Sequence, residues 1–351
     1  MKEFGSDFHT IGNFYNTGRA DVTRIFPNAT FLADGRQCLI LIIRQEDWKR
    51  LWVPEYFCYE VLDSIVKYTG IQLAFYKDYP GMGSYEFLKQ LPFEKGDALL
   101  KMNYFGLSEC HKKEPISVPI IEDHSHDLLN RSALYSDADW CIASLRKTLP
   151  LAEGGMIWSP KGAKISEDIK PLLPNEELAT KRWKAMDLKA DYLSSLKAGG
   201  GDIKLKDIFR KLYIDTEETL PDLDVSALDN RSADTLCKLD INAWYNQKKK
   251  NWKRLTTLLA KGLNYLEPIN EFCTPFSVVL KLDDVVKREK LRIGLIQKAV
   301  YPAVLWSVPE TCSEEVRIMS DCLLSLHCDA RYSEKDMEEL ACIINNVYNG
   351  I

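Results

Sequence analysis

The chain has 351 residues, 46% of them hydrophobic, enough to bury a substantial core and to divide into two domains. A formal net charge of -5 gives no basic face of the kind that nucleic-acid binding favours. No apolar run approaches the roughly 20 residues that cross a bilayer, so neither a nucleic-acid partner nor a membrane is expected. The first seven residues lack the apolar centre of a signal peptide. The ten cysteines are widely spaced, form no CxxC pair and mostly fall inside apolar runs, as Cys38, Cys141, Cys322 and Cys342 illustrate. They read as small core residues of a reduced, cytoplasmic protein.

In chain order, Ala33-Asp34-Gly35-Arg36-Gln37 precedes the helical run Cys38 to Ile42. A glycine at a turn opening a helix exposes backbone N–H groups, and the helix dipole favours an anion there. Leu51-Trp52-Val53 is strand-like and leads into Pro54. A helical pattern follows through Val61, Leu62, Ile65 and Val66 to Gly70. Further apolar runs are Ile71 to Tyr76, Ala98 to Tyr104, Val118 to Ile121, Trp140 to Ser144 and Met156 to Ser159. Strand-like segments separated by helices predict a βαβ arrangement with a parallel or mixed sheet. Their lack of alternation suits strands covered on both faces.

The segment from Lys161 to Asp224 is rich in charge and interrupted by Gly199-Gly200-Gly201, which predicts connecting helices and loops. One long helical pattern runs from Ser226 to Ala260, with Lys248-Lys249-Lys250 on a solvated face. Strand-like runs then recur at Phe276 to Leu282, Val300 to Pro302 and Leu323 to Leu326, and a helical stretch closes the chain from Asp336 to Val347. The expected division is a large α/β domain over 1–225, including the connecting segment from about 161, and a long helix with a small α+β domain over 226–351.

Chemistry concentrates in two places. The run Trp140 to Ala143 delivers Ser144-Leu145-Arg146-Lys147 to the end of a strand, and Val118 to Ile121 ends in Glu122-Asp123. In parallel sheets ligands sit outside the carboxyl ends of strands. A lysine and an aspartate there are the two groups that pyridoxal phosphate requires, one to form a Schiff base and one to pair with the protonated ring nitrogen. His124 and His126 also permit a metal, but no third ligand stands in a recognisable register, so no metal is expected.

Val53-Pro54-x-Tyr56-x-Cys58, Ile121-Glu122-Asp123 and Ser144-x-x-Lys147 with Glu153-Gly154-Gly155 together resemble the DegT/StrS-type sugar aminotransferases. The resemblance implies a fold-type-I enzyme, α/β in class, with a large mainly parallel sheet and a smaller C-terminal α+β domain. It implies Lys147 and Asp123 as catalytic residues, with Gly35, Arg36, Gln37 and Ser144 at the cofactor phosphate. His126 occupies the place of a glutamine that touches the ring hydroxyl, and Phe57 or Tyr56 would stack on the ring. Asn103, Tyr104, Arg146 and Arg331 are candidates to face substrate. The implied reaction moves an amino group from glutamate to a keto sugar nucleotide for cell-surface glycan synthesis, in a homodimer. The same motifs admit another reaction of that cofactor, such as a lyase or acyl transferase, or a scaffold without catalysis. Two departures stand out: Ser144 lies three residues before the lysine where the family has five, and Asn230 is the weak counterpart of an asparagine contributed by a neighbouring subunit.

Overall fold

Apolar segments that scarcely alternate become the middle of a seven-stranded sheet in the computed structural model, which describes residues 2–15, 21–82, 85–108, 116–171 and 173–351. The chain opens with β1 (Phe4–Gly5), α1 (Val22–Ile25), β2 (Thr30–Leu32), α2 (Gly35–Glu46), β3 (Arg50–Pro54), α3 (Tyr59–Thr69) and β4 (Gln72–Tyr76). Then come β5 (Asp97–Met102), β6 (Ile120–Asp123), α4 (Arg131–Leu134), β7 (Trp140–Ser144) and β8 (Gly155–Trp158). The sheet order is β2-β8-β7-β6-β5-β3-β4, and only β8 runs against the rest.

Every residue of β5 and β7 is buried, as expected for central strands covered on both faces. One cover is α2, whose residues from Gly35 to Ile43 are all buried. Asp34 starts that helix by accepting the Gln37 backbone N–H at 3.0 Å. The other face of the β6–β7–β8 region packs on Leu149, Leu239 and Trp244. α5 (Glu176–Lys197) and α6 (Ile203–Thr219) pack against each other around Trp183, Met186, Phe209 and Tyr213.

The single long helix expected from Ser226 is two, α7 (Asn230–Lys238) and α8 (Ile241–Leu258). The break falls at Asp240, whose carboxylate accepts the Ala243 N–H at 2.9 Å and so starts a new helix instead of continuing the old one. Lys248 is also not on a solvated face: it is 1% exposed, on the stripe of α8 that carries Trp244, Asn251 and Leu255. The remaining elements are β9 (Val278–Lys281), α9 (Val285–Ile296), β10 (Val300–Tyr301), α10 (Glu314–Cys322), β11 (Leu323–Leu326) and α11 (Glu334–Tyr348). β9 and β11 pair antiparallel, whereas β10 pairs parallel with β1, Phe4 opposite Val300. The nine described cysteines form no disulfide. Among the described residues no helix is long and apolar enough to cross a membrane.

Candidate active site

The sheet brings the two chemical segments together because β6 and β7 are parallel neighbours. Asp123 is the last residue of β6, Ser144 the last of β7, and Lys147 ends the short turn Leu145–Lys147 that follows. Two glycines let α2 close over this edge. A Cβ on Gly35 would lie 2.7 Å from the Ser144 Cβ, and one on Gly155 would lie 2.1 Å from the Asp34 carbonyl oxygen. Both are far inside van der Waals contact. Gly155 of the Glu153-Gly154-Gly155 motif is therefore a steric requirement for seating the α2 N-terminus against β8.

The resulting cavity has a volume of about 430 Å³ and is lined by Gly35, Arg36, Phe57, Asp123, Ser144, Arg146 and Lys147, with Ser125, Glu217 and Trp306. Asp123 is 6% exposed, and its Oδ1 accepts the Ser125 N–H at 2.8 Å. Lys147 Nζ stands 5.2 Å from the Trp306 ring centroid, and among the described residues no salt bridge engages it. Arg146 grips Glu217 with two hydrogen bonds, 2.7 and 3.2 Å, and Arg182 adds a third at 2.8 Å. Burial would raise the Glu217 carboxyl, but the two arginines outweigh it and hold the group down at about 2. Asp34 stands 3.6 Å from Arg36 Nε, so the cation at the helix N-terminus faces a carboxylate of its own.

Several predicted residues lie elsewhere. Gln37 sits about 200° round the helix from Gly35, and its amide binds the Asp224 carbonyl and the Ser226 N–H, each at 3.0 Å. It does not line the cavity. Nor does His126, whose ring is stacked among Phe276 (4.6 Å), Phe105 (5.5 Å) and Trp306 (5.7 Å). Its Nδ1 accepts the Phe105 N–H at 2.9 Å. Burial first, then Lys147 and Lys248, push this imidazole well below its ordinary pKa, so it is neutral with its hydrogen on Nε2. Asn103 and Tyr104 are buried behind the end of β5, Asn103 accepting from Ser108 and Tyr104 edge-on to Tyr56 at 5.5 Å. Tyr56 donates its hydroxyl to the Leu305 carbonyl, which leaves Phe57 as the aromatic of that pair on the cavity. Asn230 opens α7 in a separate cleft beside Trp183 and Asp187. Arg331 is paired with Asp329 at 2.8 and 2.9 Å, away from this cavity.

Sequence reasoning missed Trp306 and Glu217, which arrive from the β10–α10 loop and from α6. No local pattern marks either. It also missed a third donor near His124: β6–β7 pairing sets Cys141 opposite Glu122, and Glu122, His124 and Cys141 form one buried cluster. Its geometry is that of a core hydrogen bond, with Glu122 Oε2 held by His124 at 3.1 Å and Ser136 at 2.8 Å. His126 belongs to a different layer, so the paired-histidine metal arrangement does not form.

No family model matches the chain, and no curated protein matches it by sequence. Solved structures do match. Spr1654 from Streptococcus pneumoniae, assigned as a sugar aminotransferase and solved in apo, pyridoxal-phosphate and pyridoxamine-phosphate forms, is 12% identical; for its apo form 99% of this chain and 98% of that chain align at a TM-score of 0.64. PseC from Helicobacter pylori, an aminotransferase of pseudoaminic acid biosynthesis, is 10% identical over 100% of both chains at a TM-score of 0.63. A DegT DnrJ EryC1 StrS aminotransferase from Brucella abortus is 13% identical, covering 93% of this chain and 88% of its own at 0.57. The chain has the fold-type-I aminotransferase fold.

The donor set of the cavity fits pyridoxal phosphate. Lys147 Nζ is an amine without a carboxylate partner, Asp123 is a buried acid, and the Gly35 turn leaves a cradle that a side chain would fill. Lys147 would anchor the aldehyde, Asp123 would face the ring nitrogen, and Arg36, Ser144 and Arg146 would meet the phosphate.

Proposed function

We propose that this protein is a pyridoxal-phosphate-dependent aminotransferase that moves an amino group from glutamate to a keto sugar nucleotide, in glycan synthesis and as a homodimer in the cytoplasm. The observation that carries the reading is the shared cavity of Asp123 and Lys147 at the ends of two adjacent parallel strands, beneath the N-terminus of α2. The sugar substrate is supported by the solved neighbours, described as aminotransferases of sugars or of pseudoaminic acid biosynthesis.

Bound there, pyridoxal phosphate supplies an electron sink that stabilises negative charge at the carbon bearing the amine. The chain's own residues do the rest. Asp123, buried at the end of β6, would keep a proton on the ring nitrogen. Lys147 Nζ, displaced by the incoming amine, would take a proton from the substrate carbon bearing that amine and deliver it to the cofactor carbon on the other side of the nitrogen. Trp306 and Phe57 exclude water from one wall, and Ser125 stands beside Asp123 on another.

Purified protein loaded with pyridoxal phosphate should show an absorbance band that borohydride abolishes while fixing the cofactor to Lys147. Glutamate should convert that band to the amine form of the cofactor. A band that borohydride leaves unattached to Lys147 would overturn the assignment of the lysine. Trapping without any response to glutamate or another amine donor would overturn amino transfer.

A further inference from the structure

A second cleft of about 350 Å³ lies away from the Lys147 cavity, where the N-terminal segment, α5 and the end of the chain meet. Its most buried cation is Lys189, on α5 and 4% exposed. An ammonium out of water needs an anion or several acceptors. Lys189 donates to the Asp7 backbone carbonyl, and among the described residues no carboxylate lies within ion-pair distance of it.

The neighbours do not fill that gap. Arg331 spends four N–H groups on Asp329 and on the Ser6 and Asp7 carbonyls. Glu3 is bound by Lys206 and by the Tyr192 hydroxyl, and Glu339 is exposed. His9 Nδ1 is buried on the same cleft without a hydrogen-bond partner. Burial, then Arg331 and Lys189, push the His9 imidazole down to about 3, so it is neutral. Burial, then Arg331, also push Lys189 down to about 7, against a weaker opposing pull from the carboxylates of Asp7, Glu3 and Asp329, none of them within ion-pair distance. Leu193 and Leu196 give the cleft an apolar wall.

We infer that this cleft is a binding site for a compact organic anion, a carboxylate or phosphate monoester with an apolar body, whose charge meets Lys189 Nζ and whose body lies on Leu193 and Leu196. The site is independent of pyridoxal phosphate and of the reaction proposed above. An anion there supplies the partner that the fold leaves out.

Benzoate and inorganic phosphate are suitable probes, titrated calorimetrically into the full chain and into Lys189→Met and Lys147→Ala. Benzoate should bind the wild type and Lys147→Ala alike, and Lys189→Met should weaken it about tenfold or more, the effect of losing one charge-assisted hydrogen bond. Phosphate binding with the same dependence on Lys189 would identify the phosphate source instead. Equal binding by wild type and Lys189→Met, or binding by neither probe, would overturn the proposal. Should Lys189→Met not fold, acetic anhydride labelling of the wild type serves: bound benzoate must protect Lys189, and unchanged labelling counts against the site.

Discussion

Lys147 and Lys189 stand on two cavities of comparable volume, about 430 and 350 Å³, yet the chain treats them differently. Lys147 is half-buried at the end of a strand, opposite a cavity that also holds Asp123, Asp34 and Glu217. Lys189 is almost wholly buried on a helix, with a backbone carbonyl as its acceptor. The first cavity carries its own carboxylates and holds the lysine proposed for covalent work. The second is lined by Glu3 and Glu339, yet among the described residues neither lies within ion-pair distance of its lysine. On the roles proposed above, one amine is prepared for chemistry by geometry and the other for binding by burial, and the two arrangements respond to different perturbations.

The largest effect should come from Lys147→Ala. Amino transfer is expected to fall at least about a thousandfold, since both the anchor and the proton carrier are lost. Borohydride trapping and turnover measure it, and retained turnover would mean that the lysine is no more chemical than Lys189. Next in size is Trp244→Ala. Trp244 is fully buried, and its indole N–H donates to the Thr148 carbonyl at 2.9 Å, directly after Lys147. A loss of roughly 3–5 kcal/mol in urea unfolding is expected; a near-neutral result would show that the lysine turn is held without it.

Lys189 should reveal itself through pH. Its folded pKa lies near 7, below the ordinary 10.5, so between those values the unfolded chain holds more protons than the folded one. Stability therefore rises with pH across that window, by up to about 1.4 kcal/mol per unit from this group. Urea unfolding at several values from pH 7 upward measures the slope, and Lys189→Met should flatten it. An unchanged slope would mean that Lys189 is solvated or paired in the folded protein. The smallest effect belongs to Glu217→Gln. Glu217 is held near 2, so its stabilising contribution is present above its ordinary 4.5 and fades as pH falls toward 2. Its side chain is 41% exposed, and screening limits the contribution to below about 1 kcal/mol. The variant should trail the wild type slightly near pH 6 and match it only at about pH 2 and below.

The sequence revealed the sheet and the axis of the first cavity for one physical reason. Parallel strands that neighbour each other must bring their carboxyl ends together, so residues just after apolar runs, such as Asp123, Ser144 and Lys147, converge. Direction round a helix was harder to read. Gly35 and Gln37 are two residues apart, yet the side chain of Gln37 points to the segment at Asp224 instead of the cavity. Lys248 was hidden inside a run of three lysines, although Trp244, Lys248, Asn251 and Leu255 do form an inward helical stripe. Asp240 carried a legible capping signal that a long apolar periodicity overrode. Trp306 and Glu217 depend on distant segments docking on the sheet, and Lys189 depends on the two ends of the chain meeting. Local spacing encodes none of these.

The pairing of β1 with β10 has a consequence for synthesis. Every strand of the large sheet has been made by residue 158, but Phe4 finds its partner only when Val300 exists. At ribosomal speeds of 5–20 residues per second that is an interval of roughly 15–60 s. Throughout it, a strand whose Phe4 ends up 1% exposed has nowhere to be buried. The wall of the Lys189 cleft formed by Lys2, Glu3 and Gly5 is therefore among the last parts of the protein to exist, long after Asp123 and Lys147 have been brought side by side.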